Sequence, residues 1–296
     1  MRLLNMGSMN LDHVYQVDHI VQPGETESST SLTLFLGGKG MNQSVALAKA
    51  GAEVYQGGMI GPDGQPFLDA CQTYGVHSAY IRTVSEPTGH TIIQIDRQAQ
   101  NCILLYGGAN QCFTEEYVDE VLSHFGPEDL LLLQNEVNLL PYLVDKAYER
   151  GMTIALNPSP FDDKLRAVDL AKVSVFLLNE VEGGQLTGLT QPEEILKSMV
   201  ERFPQARIVL TLGKDGAMYA RGAERYFQPV FPVQAVDTTA AGDTFTGYFL
   251  AGLAEGLPIP EVLRRSAKAS AIAVTRPGAV PSIPCRDEVL RALEEN

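Results

Sequence analysis

The chain has 296 residues, of which 45% are hydrophobic and 20% are charged, the balance of an ordinary globular protein. Its 22 basic and 36 acidic side chains give a formal net charge of −14, which opposes binding to phosphate backbones and to anionic lipid. The composition therefore argues against a nucleic-acid or membrane partner, and the lack of an 18-residue apolar run argues against a membrane-spanning helix.

The first 110 residues have the pattern of strands more than of helices. Met1–Met9 is apolar, short and broken at Asn5, so we expect a buried strand there and no signal peptide. Four further segments mix polar and β-branched residues: 12–21, 31–36, His90–Asp96 and Cys102–Tyr106. The last two resemble a hairpin that turns at 97–101. We expect a small β lid built from two excursions of the chain, at roughly 12–36 and 88–106.

From about residue 129 onward, short apolar runs alternate with segments of helical period. The predicted strands are Leu130–Gln134, Thr153–Leu156, Val175–Leu178 and Ile208–Leu212. The predicted helices are Leu139–Arg150, Pro192–Arg202, Gly242–Glu255, Pro260–Thr275 and Arg286–Glu295. This alternation predicts right-handed crossovers and a doubly wound, mostly parallel α/β sheet with helices on both faces. We expect residues 1–296 to form one such domain, with the small β lid attached.

Motifs of several enzyme classes are absent from the sequence. Lys39 is followed by Gly40 and Lys214 by Asp215, so neither lysine belongs to a P-loop. The Rossmann fingerprint, the zincin motif and the nucleophile elbow are absent as well, and the five histidines show no metal-ligand spacing. The four cysteines show no paired spacing, so we expect reduced thiols in a cytoplasmic protein.

The strongest chemical signal is the segment 237–243, Asp-Thr-Thr-Ala-Ala-Gly-Asp, which precedes an apolar helix. Small residues before a helix let consecutive backbone N–H groups point at one spot, where the positive end of the helix dipole adds to them. Such a place stabilises negative charge on a phosphoryl group. Asp243 would ordinarily be interpreted as a partner of the helix dipole, but beside an anion site a carboxylate is suited to accept a proton.

A second signal is the segment 36–42, Leu-Gly-Gly-Lys-Gly-Met-Asn, which leads into a predicted helix over Gln43–Ala50. Glycines at this junction allow a ligand to approach the backbone closely. Asn42 offers an amide that can both donate to and accept from a hydroxyl-rich ligand. A tight turn followed by a helix cap would explain the same residues.

These two segments, in this order, resemble the signatures of the ribokinase-like carbohydrate kinases, the family of phosphofructokinase B type. The resemblance extends from Gly7–Asp12 to Val274–Ala279. It implies a doubly wound α/β fold with a small β lid, and transfer of the γ-phosphoryl group of ATP to a sugar hydroxyl. Ala240 departs from the pattern, because the wider family usually has glycine there.

The resemblance also implies roles for individual residues. Asp243 matches the catalytic base, and the backbone amides of Ala241, Gly242 and Asp243 match the anion hole. The residues that match the sugar site are Asn10, Asp12, Gly38, Lys39, Asn42, Glu136 and Asp243. The residues that match the nucleotide site are Asn179, Thr211, Gly213, Gly216, Ala241 and Gly242. Lys268 lies in a helix expected to flank the adenine, and the resemblance assigns it no role.

Two metal ions are implied as well. Glu182, in the run from Asn179 to Glu182, matches a motif that organises Mg²⁺ through water. The residues that match a K⁺ site are Asp237, Thr239, Ala273, Arg276, Gly278 and Ser282. The alternative is that Asp237 caps a turn and that Arg276 pairs with a surface carboxylate.

The strand ends support this site independently of the resemblance. Polar residues and a glycine stand at or just past the carboxyl ends of predicted strands: Glu136, Asn157, Asn179, Thr211 and Gly213. Open parallel sheets bind their ligands at that edge.

The first choice of acceptor is ribose, which the enzyme would phosphorylate at O5. A phosphosugar would require basic residues near the sugar, and between Arg2 and Lys39 there is none other than His13 and His19, although Arg97 in the lid hairpin could supply one. A nucleoside, deoxyribose or fructose are the alternatives. A sensor without turnover is a more distant alternative, because such a protein should have lost Asp243 or Gly242.

We also expect two copies of the chain to pair through the exposed edge of the lid.

Overall fold

Strands and helices alternate through most of the chain. The computed structural model describes residues 1–98 and 100–295, whereas Ala99, in the predicted hairpin turn, and Asn296 lie outside the described residues. The strands are β1 (Leu3–Met6), β2 (Asn10–Gln16), β3 (Ser31–Gly37), β4 (Val54–Ile60), β5 (His77–Thr83), β6 (Gly89–Ile95), β7 (Asn101–Tyr106), β8 (Leu130–Gln134), β9 (Thr153–Asn157), β10 (Val175–Asn179), β11 (Arg207–Thr211), β12 (Ala217–Arg221) and β13 (Glu224–Gln228). The helices are α1 (Lys39–Lys49), α2 (Gln65–Tyr74), α3 (Glu115–Leu122), α4 (Leu140–Glu149), α5 (Glu180–Thr187), α6 (Pro192–Arg202), α7 (Ala241–Glu255), α8 (Ile259–Ala273) and α9 (Arg286–Glu294). Within the described residues, no helix combines the length and the apolar content needed to cross a membrane.

Among the described residues, nine strands form a main sheet in the order β13-β12-β11-β10-β9-β8-β1-β4-β5. The pairings are parallel except those of β12, which runs antiparallel to β11 and to β13. The interior strand β1 pairs with β8 and with β4, so that Leu3 lies beside both Leu130 and Val54. The chain adds β4 and β5 on one side of β1 and β8 to β13 on the other. Such a switch in strand order opens a crevice at the carboxyl ends of the strands.

Helices cover both faces of the main sheet. One apolar core, around side chains such as Met41 and Phe249, joins the sheet to α1, α2, α7, α8 and α9. The other, around Leu133 and Phe176, joins it to α3, α4 and α6. A strand covered on both faces has no solvent side, which is why Leu130–Leu133 is apolar without a break. This architecture confirms the predicted doubly wound α/β fold.

A second, smaller sheet stands apart from the first, and in the described part of the chain its order is β3-β2-β6-β7. The central pair, β2 and β6, is parallel and joins Asn10 to Gly89. The outer pairs are antiparallel, and β6 and β7 form the predicted hairpin. Its strands lie within residues 10–37 and 89–106, and the presence of this sheet confirms the small β-sheet part of the fold class.

The structure corrects two predicted boundaries next to the site. The first strand spans only Leu3–Met6, and the helix after the glycine pair begins at Lys39 instead of Gln43. Gly40 lies within that helix, and a glycine is required there because the backbone of Gly7 and Ser8 lies too close for a side chain. Asn42 therefore lies in the first helical turn and does not cap it.

Candidate active site

Polar residues converge at one edge of the main sheet. Gln134, Asn157, Asn179 and Thr211 are the last residues of β8, β9, β10 and β11. Glu136 follows two residues after β8, and the amino ends of α1 and α7 meet at the same edge, where Asn42 donates to Asp243. This is the edge at which open parallel sheets bind their ligands.

Asp243 lies in the first turn of α7 and is 8% exposed. Each of its carboxylate oxygens accepts a hydrogen bond from α1: Oδ1 from Gln43 Nε2 at 2.8 Å, and Oδ2 from Asn42 Nδ2 at 2.9 Å. Two neutral donors fix the direction of the carboxylate, and a carboxylate has enough lone pairs to accept a further hydroxyl. The arrangement suits a general base.

The amino end of α7 has the geometry that the predicted anion site requires. Ala240 precedes it in the left-handed conformation, with φ 59°, which explains why glycine is the easier residue at this position. The Ala241 N–H donates to Thr238 O at 3.2 Å, so the turn already uses this predicted anion-hole amide. The N–H groups of Gly242 and Asp243 are first-turn groups that lack an acceptor within their own helix. These two amides are the better candidates to hold a phosphoryl oxygen.

A cavity of about 250 Å³ lies in front of this helix end. Its strand side is lined by Asn157, Asn179 and Thr211, and its helix side by Ala241, Gly242 and Asp243. The predicted nucleotide residues Asn179, Thr211, Ala241 and Gly242 are therefore brought together.

Asn179 and Glu182 form a capping box at the start of α5. Asn179 Oδ1 accepts from the Glu182 N–H at 2.9 Å, and the Glu182 oxygens accept from the N–H and from Nδ2 of Asn179 at 2.9 and 3.1 Å. Both residues also line the smaller cavity. Glu182 thus caps a helix and faces the cavity at once, and a contact to Mg²⁺ through water is compatible with this geometry.

A larger cavity, of about 770 Å³, lies between the small sheet and the main sheet. Its polar part contains the residues that match the sugar site, which are Asn10, Asp12, Gly38, Lys39, Asn42, Glu136 and Asp243. Asn42 Oδ1 is buried and has no hydrogen-bond partner among the described residues, so a donor is missing there. Gly38 adopts φ 87°, and a side chain on it would approach the Asn10 N–H to 2.9 Å. The floor of this cavity is therefore backbone with amide and carboxylate groups around it.

Two carboxylates face this cavity in partly buried positions. Burial raises the pKa of Asp12, although a 2.5 Å hydrogen bond from Thr91 Oγ1 opposes the shift. Burial also raises the pKa of Glu136, against the opposing effects of Lys39 and of the hydroxyl of Ser8, which donates to it. Both groups are acceptors suited to neutral hydroxyls.

Lys39 lines both cavities. Burial works to lower the pKa of this lysine, but the carboxylates of Asp243, Glu136 and Glu182 outweigh it and hold the pKa above its ordinary value. Lys39 therefore carries its positive charge between the two cavities at neutral pH.

Asp237 joins the two chain segments of the predicted K⁺ site. Its Oδ1 accepts from the Thr239 N–H at 2.8 Å and its Oδ2 from the Gly278 N–H at 2.9 Å. These bonds outweigh partial burial and lower the pKa of Asp237. Arg276 forms an ion pair with Glu288, as the alternative interpretation expected. The donor set of one carboxylate, carbonyl oxygens and the hydroxyl of Ser282 is nevertheless the chemistry that a hard cation selects.

Some predicted residues lie outside the two cavities. Gly213 and Gly216 lie in the turn between β11 and β12 and do not line the smaller cavity. Lys268 is 9% exposed and lies in α8, where its Nζ is 4.8 Å from the centre of the Phe231 ring. The structure gives this lysine a packing contact and no place in either cavity.

Sequence reasoning missed Ser8, Gln43 and Thr91, each of which holds a predicted site residue by a hydrogen bond. Gln43 carried a signal, because the polar run Asn42-Gln43-Ser44 interrupts an otherwise apolar helix. Ser8 and Thr91 carried none, since they meet Glu136 and Asp12 only through the tertiary fold.

Comparisons with known proteins agree with this geometry. Residues 2–286 match the pfkB family of carbohydrate kinases. The chain is 36% identical to the ribokinase of Haemophilus influenzae over 301 residues, which cover 98% of this chain and 97% of that protein. The ribokinase structure from Thermotoga maritima superposes with a TM-score of 0.89 at 32% identity and covers 100% of both chains. An Arabidopsis thaliana ribokinase complexed with ribose and ATP superposes with a TM-score of 0.87 at 30% identity, covering 99% of this chain and 98% of the other. From its site, its fold and these likenesses, the chain belongs to the pfkB family of carbohydrate kinases.

Proposed function

We propose that the protein is an ATP-dependent ribokinase, which transfers the γ-phosphoryl group of ATP to O5 of ribose. The observation that carries the proposal is that Asp243 lies at the junction of the two cavities and lines both. It belongs to the first turn of α7, the helix end that forms the candidate anion site. A base at that junction can reach an acceptor hydroxyl in one cavity and a phosphoryl group in the other. The full-length likeness to ribokinases supports the same conclusion.

In this mechanism, the sugar lies in the larger cavity and ATP in the smaller one. Asp12, Asn42 and Glu136 accept hydrogen bonds from the sugar hydroxyls, and Asp243 accepts the proton of the attacking one. A bond forms between the sugar oxygen and the γ-phosphorus while the bond from that phosphorus to the bridging oxygen of ADP breaks. The amides of Gly242 and Asp243, with the charge of Lys39, stabilise the negative charge on the phosphoryl oxygens. Mg²⁺, when bound near Asn179 and Glu182, would neutralise phosphate charge.

The cavity favours a sugar without a phosphate. Among the described residues that line the larger cavity, Lys39 is the only one with a permanently cationic side chain. Arg97, which could have supplied a second one, pairs with Asp18 at 2.7 Å and does not line the cavity. Phosphate recognition depends on such charges, so a phosphosugar has too few partners here.

A panel of acceptors tests the proposal. The protein is incubated with ATP, Mg²⁺ and each of ribose, deoxyribose, fructose, ribose 5-phosphate and several nucleosides, and ADP formation is measured together with the position of the phosphate on the product. The expected result is the highest kcat/KM with ribose and phosphorylation at O5. A clear preference for a nucleoside would replace the proposal with a nucleoside kinase, and ligand binding without turnover would indicate a sensor.

We further propose that the small sheet closes over the sugar as a lid. Its inner face already lines the larger cavity with Thr91, Ile93 and Leu105. Because side chains alternate along strands, the opposite face carries large apolar side chains that are exposed: Leu32, Leu34, Ile92, Leu104 and Tyr106. The expected homodimer through the lid stays a prediction, which these side chains support.

Replacing Asp12 by alanine should weaken ribose binding much more than ATP binding. A carboxylate that accepts from sugar hydroxyls in a partly buried place makes charge-assisted hydrogen bonds, each worth about 1.5–3 kcal/mol. We therefore expect KM for ribose to rise by roughly 10- to 100-fold, with KM for ATP within about twofold. Steady-state kinetics with each substrate varied in turn give both values. Equal losses for the two substrates would mean that Asp12 acts on folding or on closure of the lid.

Potassium should raise the activity by roughly 5- to 10-fold over tetramethylammonium at constant ionic strength. We propose that K⁺ binds beside Asp237 and orders the turn before α7, which fixes the position of the first-turn N–H groups of Gly242 and Asp243. Steady-state rates with the two chloride salts measure the effect. Equal rates would rule out the K⁺ site, and Asp237→Ala should remove any potassium response that is found.

A further inference from the structure

We propose that Gln43 is a positioning residue, which aims the carboxylate of Asp243, and that a directional chain of buried hydrogen bonds through Gln134 and Asn5 holds Gln43 in place. The proposal rests on the phosphoryl-transfer function proposed above, because it names what orients the base of that reaction.

Gln43 touches the base directly. Its Nε2 donates to Asp243 Oδ1 at 2.8 Å, and the same group lies 3.3 Å from Asn157 Oδ1. Its Oε1 accepts from Gln134 Nε2 at 2.7 Å. Gln43 is fully buried, so water does not compete for these bonds.

The chain of hydrogen bonds continues away from the site. Gln134 Nε2 also donates to Asn5 Oδ1 at 3.0 Å. Asn5 Nδ2 in turn donates to the backbone carbonyl of Gly40 at 2.7 Å and to Ser44 Oγ at 2.9 Å. Gln134, Asn5 and Ser44 are all fully buried, between the centre of the main sheet and α1.

The far end of the chain is anchored to backbone as well. Ser44 Oγ donates to Gln56 Oε1 at 2.6 Å. Gln56 Nε2 donates to the carbonyl oxygens of Gly7 and Gly57 at 3.0 and 2.9 Å. Gln56 is therefore oriented by two groups that can only accept.

These anchors determine the direction of every bond in the chain. A backbone carbonyl cannot donate, so the NH₂ of Asn5 must face Gly40, and its oxygen must face Gln134. Gln134 then has to turn its NH₂ toward Asn5 and Gln43, which leaves the oxygen of Gln43 facing Gln134. The NH₂ of Gln43 is thereby directed at Asp243. The orientation of the amide at the base is thus set by the backbone carbonyl of Gly40, in the first turn of α1.

Because these groups are buried, the Gln43 amide is held in one orientation. A buried amide without partners is strongly destabilising, so Gln43 cannot turn over without breaking bonds that nothing else would replace. If the amide did turn over, its oxygen would face the carboxylate of Asp243 and repel it. A positioned base in turn requires a carboxylate held to within a fraction of an ångström, since small misplacements lower the rate steeply.

The first test is a kinetic double-mutant cycle. Gln43→Met keeps the length of the side chain and removes both polar groups, and we expect it to lower kcat by roughly 10- to 100-fold with KM for ATP little changed. In a protein that already carries Asp243→Asn, the same substitution should lower kcat by less than about threefold, because the carboxylate that it positions is gone. A residue that acts only on the stability of the fold would lower both rates alike.

The second test acts at a distance from the base. Gln134→Leu leaves Gln43 in place but removes the donor that orients it, and we expect kcat to fall by roughly 3- to 10-fold. Tyr117→Phe is the matched control, since it also removes an internal hydrogen bond, the partly buried one from Tyr117 Oη to Tyr80 O at 2.6 Å, on the other face of the main sheet. The control should lower the melting temperature without lowering kcat.

The outcomes separate this proposal from the proposed function. The kinetics are run on ribose, or on whichever acceptor of the panel the parent protein phosphorylates. If the parent is active and Gln43→Met lowers kcat equally in both backgrounds, the positioning role is overturned and the kinase function is unaffected. A parent that phosphorylates no acceptor overturns the kinase function. Thermal unfolding of the parent, the two single variants and the double variant then decides the positioning role. Gln43→Met should lower the melting temperature less in the Asp243→Asn background than in the parent. Equal falls in melting temperature would overturn the positioning role.

Discussion

Asp243→Asn is expected to lower kcat by roughly 10²–10⁴-fold, the usual effect of losing a general base. The substitution keeps the size of the side chain and the acceptor oxygen, so both substrates should still bind with KM values close to those of the parent. What is lost is the negative oxygen that takes the proton of the sugar hydroxyl. Steady-state kinetics with ribose and ATP measure the effect.

Two control measurements distinguish the loss of a general base from a structural effect of Asp243→Asn. Glu255→Gln neutralises a carboxylate at the other end of the same helix, where Glu255 pairs with Arg286 at 2.7 Å, and it should leave kcat unchanged. Thermal unfolding should show only a small fall in melting temperature for Asp243→Asn, because its NH₂ group replaces one of the two oxygens that accept from Gln43 and Asn42. A large fall in melting temperature would indicate that Asp243 serves the helix end, and a kcat within about threefold of the parent would remove it from the mechanism.

Lys39→Met is expected to lower kcat/KM for ATP by roughly 10²–10³-fold. The lysine carries the positive charge that lies between the two cavities, and its raised pKa results from Asp243, Glu136 and Glu182. Without it, the carboxylates of Asp243 and Glu182 would face an incoming triphosphate, with no cationic side chain among the described residues that line the smaller cavity. The loss should therefore appear for ATP first, and in kcat as well, since charge develops on the phosphoryl oxygens during transfer.

Lys268→Met is the matched control for this prediction. It also removes a mostly buried lysine, but Lys268 contacts Phe231 and lines neither cavity. Its kcat and KM should stay within about twofold of the parent, with at most a modest loss of stability. If the two variants behave alike, the charge of Lys39 has no special role in catalysis.

The elements that the sequence predicted best are those whose local pattern coincides with their tertiary surroundings. Leu130–Gln134 was predicted to the residue, because a strand buried on both faces is apolar throughout. Pro192–Arg202 was too, because a proline opens it and its apolar residues keep one face. In contrast, β4 was not predicted. Its glycines 57 and 58 break the apolar pattern, and they are there to make room for neighbouring side chains such as Met6 and Met9.

The site was predictable to the extent that its residues lie in short motifs. The segments 36–42 and 237–243 predicted Asn42 and Asp243, and the structure brings these two into hydrogen-bonding contact. The hydrogen-bond chain behind Gln43 could not be predicted, because Asn5, Gln134 and Gln56 lie on three different strands. A lone amide in a strand is typical of an exposed face, and only the pairing of β1 with β4 and β8 shows that these three share one buried layer.

The two excursions that make the small sheet impose an order on folding. Its central strands, β2 and β6, follow directly on β1 and β5, and β4 lies between those two strands in the main sheet. Pairing Asn10 with Gly89 in an unfolded chain would require closing a long loop, whereas the finished main sheet already holds both segments close together. We therefore expect the small sheet to form late in folding, on a main sheet that is already in place. By the same reasoning we expect it to open without global unfolding, so that amide protons in β2 and β6 should exchange with solvent sooner than those in β1 and β8.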